Sequence, residues 1–425
     1  MVRPTMVRWR VLGLVMAASA VGYILRTNVS IAGPSIKSEL GLSETQLGVV
    51  LSAFVTTYAL FQIPGGLLGE RFGPRRVITW LLLGWGLVTL GIGLVPGRQS
   101  APIWLVLGSL VLLRGAMGVL QAPFFPVTAG GTTRTWFPAH RWALANSLQN
   151  VTFTLASAAA APLLVWLIAR FGWRIGLMAA APLALILAAL WWWDTRDDPA
   201  AHPRVNAAEV ELIRAGAPTS AAPGTARWID VVRNRDVALL TLSYFSLNYV
   251  FYLFFNWFYY YLTEVRGIPP MMAGYFTGAQ WIVGAAGAAT GGVLCDWLSV
   301  RLGSAWGCRL TAMAGILVAT PCLLLGVTAS NPVVVVTLLS LSFASTQLVD
   351  PAYWVATMRV AGPRAPLATG ILNTGGNLSG SLAAILVPVI AGAWGWTAGV
   401  GSGVVFAVIA ALLWLGIRAD RPIAT

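Results

Sequence analysis

Charge is what this chain has least of. Only 10% of its 425 residues are Asp, Glu, Lys or Arg, against roughly 25% in a soluble protein. Lysine is nearly missing: Lys37 stands alone beside 26 arginines. There are two histidines, His140 and His202, both in polar stretches. The three cysteines, Cys295, Cys308 and Cys322, stand at no metal-ligand spacing, so they read as isolated reduced thiols and predict no metal site. No nucleophile–base pair stands out, which argues against an enzyme. The glycine-rich stretch "GAAGAATGG" (284–292) invites a nucleotide-loop reading. No Lys-Ser/Thr follows it and it sits inside an apolar run, so close helix packing is the better account and no cofactor is expected.

What fills the chain is hydrocarbon. Hydrophobic residues make up 57% of it, and mean hydropathy is +0.76. Apolar runs of about 20 residues recur from end to end, each long enough to cross a bilayer. They fall near 9–35, 44–68, 76–95, 103–129, 142–168 and 174–193, then near 237–263, 271–295, 305–327, 332–357, 366–391 and 396–417. The expectation is an all-α membrane protein of twelve transmembrane helices, its partner surface the lipid bilayer. The net charge of +13 lies mainly in alternate short loops: Arg3, Arg8 and Arg10, then Arg71, Arg75 and Arg76, then Arg134 and Arg141, and so on to Arg418 and Arg421. That asymmetry places both termini in the cytoplasm and excludes a nucleic-acid partner. The preference for Arg over Lys suits a GC-rich bacterial genome, hence a multi-pass plasma-membrane protein of the bacterial inner membrane. "ASA" at 18–20 mimics a signal cleavage site, but cutting there would discard half of the first span.

Six spans (1–193), one polar stretch (194–236) and six more spans (237–425) suggest an internal duplication. The polar stretch holds six Arg against seven acids and reads as a solvated linker. Within it Asn206 and Glu209 have capping-box spacing, predicting a short surface helix. "GLLGERFGPRR" (66–76) follows the second span and "GVLCDWLSVR" (292–301) follows the eighth, each with Gly, an acid four residues on and a closing Arg. Paired halves around a central cavity are a recurring transporter plan.

Gly66, Glu70, Arg71, Gly73, Arg75 and Arg76 resemble the signature loop of the major facilitator superfamily, with Glu70 where Asp is usual. The resemblance implies the major facilitator fold, two pseudo-symmetric six-helix halves, and makes Glu70, Arg71, Arg75 and, in the second loop, Asp296 gate candidates. The alternative is that these arginines only enforce topology. "SAFVTTYALFQIPGG" (52–66), "RGAMGVLQAPFFP" (114–126), "WFPAHRWA" (136–143) and "GILNTGGNLSG" (370–380) are similar to the anion:cation symporter branch, which includes sugar-acid and aromatic-acid carriers and vesicular glutamate transporter relatives.

Two arginines lie where hydrocarbon is expected. Arg26 is roughly 14 Å and Arg114 roughly 16 Å from the outer ends of their spans, at 1.5 Å per residue. A charge at that depth costs about 2.5–3.5 kcal/mol and normally faces a polar cavity. Each guanidinium offers a planar fork for a carboxylate or phosphate. The competing reading is that each bonds backbone carbonyls or snorkels. The resemblance implies that arginines at these motif positions serve the substrate site. It also implies an Asp before the first and a Glu seven residues after the second, where Leu25 and Gln121 stand instead. Neither carries a proton, although Gln121 can still orient a ligand.

Asp350 is the remaining acid within a span, readable as a proton site or, with Pro351 following, as a cap or kink residue. Tyr23, Tyr58 and Tyr252 are pocket candidates, and the resemblance adds Asn373 as a substrate contact, with Asn377 explained equally by packing. Tyr259, Tyr260 and Tyr261 read as interfacial belt residues. These features predict an alternating-access carrier of a small organic anion, monomeric, that works by exchange or facilitated flux because Leu25 and Gln121 replace the proton-handling carboxylates that the resemblance implies. A proton-coupled symporter using Asp350 and a transporter-like anion receptor are the alternatives.

Overall fold

The computed structural model describes residues 3–138, 141–214, 229, 231, 233–361 and 365–418, without the side chains of 63, 66, 70, 130, 142, 143, 146, 147, 150, 304 and 365–367. Among these residues there is no strand. Eleven helices among them are long and apolar enough to cross a membrane. One of them, Val151–Asp194, is 44 residues long, about twice what a hydrocarbon core of ~30 Å needs. It is two crossings, because Gly172 takes φ 75° and ψ 163° within it. Beyond that break the chain doubles back: a Cβ on Gly176 would lie 3.0 Å from the Ile168 side chain.

The twelve crossings are α1 (Val7–Leu40), α2 (Glu44–Phe72), α3 (Pro74–Gly93), α4 (Ile103–Gln121), α5 (142–171) and α6 (173–194), then α7 (Arg235–Tyr260), α8 (Pro270–Leu302), α9 (Ser304–Thr328), α10 (Pro332–Ala361), α11 (Ala365–Trp394) and α12 (Trp396–Gly416). Past Gln121 the α4 crossing continues irregularly to Trp136 through a π turn at Val127–Thr132. Pro123 and Pro126 there remove two backbone donors, which breaks the regular ladder.

Glycine punctuates the bundle at repeating positions. Gly73, Gly172, Gly303 and Gly395 join α2 to α3, α5 to α6, α8 to α9 and α11 to α12, all with φ between 75° and 83°. Their ψ values, 148° to 163°, put them in or near a region that side-chain-bearing residues avoid. Gly41 after α1 and Gly267 after α7 form a further pair, at φ 63° and 64°. The chain is thus four three-helix repeats, two per half, and "RFG" at 71–73 and 170–172 is the same turn written twice.

The structure forms two compact units, Met1–Leu40 with Leu60–Ala222 and Gly41–Ala59 with Pro223–Thr425. The first part of α2 therefore belongs with α7–α12. There Gly48 abuts the Ala384 carbonyl, Thr56 Oγ1 donates to Ser381 Oγ over 2.8 Å and Tyr260 donates to Glu44 over 2.7 Å. In the first unit α1 packs on α5 and α3 on α6; in the second, α7 packs on α11 and α9 on α12, the same pairing.

Two expectations are corrected by this packing. Tyr259, Tyr260 and Tyr261 are buried instead of forming an interfacial belt. The π turn at Tyr261–Val265 folds the end of α7 inward, where Tyr260 meets Glu44 and Tyr261 accepts from Arg266 over 2.9 Å. The linker is also not simply solvated. Its helix, Ala207–Arg214, turns Glu209 onto the start of α1. The Glu209 carboxylate accepts from the backbone N–H groups of Val7 and Arg8 (3.2 Å each) and from the Arg8 guanidinium (2.9 Å). Glu209 is 0% exposed and serves as the N-terminal cap of α1, where the helix dipole favours an anion.

Candidate functional site

Both buried arginines, Tyr23, Gln121, Tyr252 and Asp350 fall on α1, α4, α7 and α10, the first helix of each three-helix repeat, while Tyr58 is on α2 and Asn373 on α11. Arg26 is on α1, Arg114 on α4, Tyr252 on α7 and Asp350 on α10.

In the first unit α1 and α4 bring Arg26, Arg114, Tyr23 and Gln121 together. Arg26 is 7% and Arg114 1% exposed. Arg114 directs its two terminal nitrogens at the carbonyls of Leu25 (3.5 Å) and Arg26 (3.4 Å), so it ties α4 to α1 beside the other arginine. Its fork is thus turned toward backbone oxygens, the competing arrangement considered from sequence. Arg26 lies over the Tyr23 ring, 5.6 Å from its centroid. Tyr23 is itself fixed by stacking on Phe153 of α5, with centroids 4.4 Å apart. Gln121 donates its amide to the Gly22 carbonyl over 2.9 Å, a turn below Arg26 on the same helix. Leu25 is buried. α4 (Ile103–Gln121) contains no acid, and the single acid of α1, Glu39, lies near its far end, held by Trp173 and Arg174.

In the second unit Tyr252 donates to Asn377 Oδ1 over 2.6 Å, and the Asn377 amide reaches the Asn373 carbonyl over 2.8 Å and its side-chain oxygen over 3.2 Å. A polar string thus links α7 to two turns of α11. Gly380 makes this approach possible, since a Cβ there would meet the Tyr252 ring at 2.5 Å. Tyr58 lies in the part of α2 that belongs to this unit and stacks on Phe54 at 5.8 Å. Both Asp350 oxygens are engaged, by Tyr244 Oη at 2.8 Å and by Trp354 Nε1 at 3.1 Å. Pro351 leaves α10 continuous on either side of them.

Of the gate candidates, Arg75 is the most engaged. Its backbone N–H donates to Asp197 over 2.7 Å, and its guanidinium bonds the Trp192 carbonyl and lies 4.1 Å over the Trp192 ring. Arg71 is exposed above Phe72, and Asp296 is exposed. The Glu70 side chain and His140 lie outside the described residues.

Sequence reasoning missed the partners Phe153, Tyr244, Trp354 and Asp197, and read Glu209 only as a capping-box residue of its own helix, not as the cap of α1. Tyr244 was readable, because it lies two turns before Tyr252 on the same face of α7. The cysteine reading is also corrected. Cys295 and Cys308 are not isolated: the turn at Gly303 folds α9 back on α8 and brings their sulfurs to 3.7 Å. No group of three or more His, Cys, Asp or Glu that would hold a metal occurs among the described residues.

Twelve crossings in repeating triplets, with buried arginines and amides on the first helix of the triplets, define a polytopic membrane carrier. The chain belongs to the Major Facilitator Superfamily, whose family model matches residues 15–366. It is 31% identical to a probable sulfoacetate transporter of Cupriavidus necator over 385 residues, 89% of this chain and 86% of that protein. It is 29% identical to a probable galactarate/D-glucarate transporter of Bacillus subtilis over 429 residues, 97% of this chain and 93% of that protein. Its fold is similar to that of a bacterial homolog of the human lysosomal transporter Spinster, with a TM-score of 0.79 and 16% identity, covering 98% of each chain. The family and these relatives are membrane transporters of many spans and not enzymes, and the resemblance to the sugar-acid carriers drawn from sequence agrees with them.

Proposed function

We propose that this protein carries a small organic anion across the bacterial inner membrane by alternating access, as a monomer with both termini in the cytoplasm. The observation that carries the proposal is Arg26, a buried guanidinium deep in α1, oriented by the stacked pair Tyr23–Phe153 and flanked by Arg114. Sulfoacetate, galactarate and glucarate each carry an acidic group at both ends, which suits a site with more than one cation-bearing or amide-bearing helix. Arg26 is the residue proposed to take one acidic group bidentately. Arg114 and Gln121 position α4 against α1, and Tyr252 with Asn373 and Tyr58 are proposed ligand contacts on the second unit. Glu70, Arg71, Arg75 and Asp296 are proposed to gate the passage.

Exchange or facilitated flux follows from Leu25 and Gln121. The resemblance implies proton-handling carboxylates at these two positions, and neither Leu nor Gln takes up or releases a proton, so the site offers no titrating group there to couple transport to a proton gradient. A bound anion lowers the barrier to reorientation, and the loaded carrier crosses faster than the empty one. A second reading, proton-coupled symport, has one observation in its favour: the buried hydrogen-bonded cluster of Asp350, Tyr244 and Trp354. Uptake into vesicles with and without internal substrate, at fixed and imposed pH gradients, separates the two. Efficient uptake into empty vesicles that needs an inward proton gradient and is abolished by Asp350→Asn supports symport over exchange.

A further inference from the structure

Helices α8 and α9 carry two cysteines that the transport reading does not use. Cys295 lies two turns before the Gly303 turn and Cys308 just over one turn after it, so the hairpin sets them side by side. Their sulfurs are 3.7 Å apart, and the residues are 1% and 0% exposed. The backbones also approach closely at this level: a Cβ on Gly307, next to Cys308, would lie 2.7 Å from Cα of Ser299, one turn from Cys295. Close backbones matter because a disulfide needs Cα atoms about 4.4–6.8 Å apart and Cβ vectors that converge. Sulfurs 3.7 Å apart show that the two side chains face each other across the hairpin. Cys322, further along α9, is partly exposed.

We propose that Cys295 and Cys308 form a redox-closable dithiol, a modification site that links α8 to α9 when a hydroperoxide reaches it. The steps balance. One thiol takes an oxygen from hydrogen peroxide, giving a sulfenic acid and one water; the neighbouring thiol attacks that sulfur, forming the disulfide and releasing a second water. Two thiols and one peroxide give one disulfide and two waters. Burial within an apolar hairpin favours uncharged reagents over charged ones. It also holds the resolving thiol within reach of the sulfenic acid, so closure outruns further oxidation.

The test uses the full-length protein purified in detergent, in a Cys322→Ser background, treated with hydrogen peroxide and read by intact mass and by peptide mapping. The expected result is a loss of about 2 Da, a peptide joining Cys295 to Cys308, and return to the starting mass with a reductant. Phenylarsine oxide, which bridges two neighbouring thiols, should be retained by the reduced protein and lost after peroxide. Cys295→Ser should abolish both signals; if that variant does not fold, mass and arsenical capture on the Cys322→Ser protein decide alone. A gain of about 32 Da on a single cysteine with no cross-linked peptide overturns the proposal, as does the absence of arsenical binding.

Discussion

Arg26 and Arg114 look equivalent in the sequence, and the structure predicts that replacing each by lysine fails in a different way. Arg114 is 1% exposed with its terminal nitrogens on two successive carbonyls of α1. Lysine has one nitrogen and no fork, so Arg114→Lys loses at least one charged hydrogen bond inside the bundle, about 1.5–3 kcal/mol. The long contact distances, 3.4 and 3.5 Å, place the loss toward the lower end. Its effect is on stability: a melting temperature lower by several degrees, with affinity following only as the site loosens. Arg26 lies 5.6 Å over Tyr23, and lysine retains some of that cation–π attraction. What Arg26→Lys loses is the bidentate grip on the anion, also about 1.5–3 kcal/mol. At about 1.4 kcal/mol per tenfold, that is on the order of a 10- to 150-fold weaker Kd with melting temperature nearly unchanged. Calorimetric titration with sulfoacetate or galactarate, beside thermal melts of the same samples, gives both readings. Near-normal affinity in Arg26→Lys, or a large affinity loss with unchanged stability in Arg114→Lys, refutes this division of labour.

Other parts of the structure give sharper stability tests. Glu209→Ala removes the cap of α1 and leaves Arg8 without its buried partner, so it should cost about 3–5 kcal/mol, while Glu209→Gln, which keeps an acceptor, should cost less in the same melts. Gly172→Ala places a Cβ that meets nothing within 4 Å, so backbone strain alone should cost about 1–3 kcal/mol. His202 accepts at Nδ1 from the Arg204 N–H and faces the Asp194 carbonyl with Nε2, which fixes the neutral ring. Burial, first among its causes, holds its pKa below 6.5. Its contribution is therefore complete above pH 6.5 and is lost as pH falls through the lowered folded value; melts of His202→Asn should show a flatter dependence on pH below 6.5.

Element existence was legible because a hydrophobic run of about 20 residues has few alternatives in a membrane. The twelve-span count holds, and Gly172 divides the fifth crossing from the sixth within the gap left between 168 and 174. Arg26 and Gln121 were legible from chemistry, since a charge or amide in hydrocarbon must be accounted for. Their partners were not. Phe153, Tyr244 and Asp197 act through distances between helices far apart in sequence, and no period along one helix reports those. The cysteines show the same limit: thirteen residues apart, Cys295 and Cys308 meet only because Gly303 turns the chain. The tyrosines at 259–261 misled because belt residues and packed residues share a composition, and the π turn that buries them leaves no sequence period.

The central claim is that the loaded carrier crosses faster than the empty one, with Arg26 gripping the anion and no proton-carrying residue at positions 25 and 121. Counterflow tests it most directly: liposomes loaded with millimolar unlabelled sulfoacetate or galactarate, no pH gradient, and labelled substrate outside. The account predicts rapid transient accumulation of label, far faster than into empty liposomes, and its loss in Arg26→Lys. Equal uptake into loaded and empty liposomes without a gradient, or an Arg26→Lys carrier that exchanges normally, would contradict it.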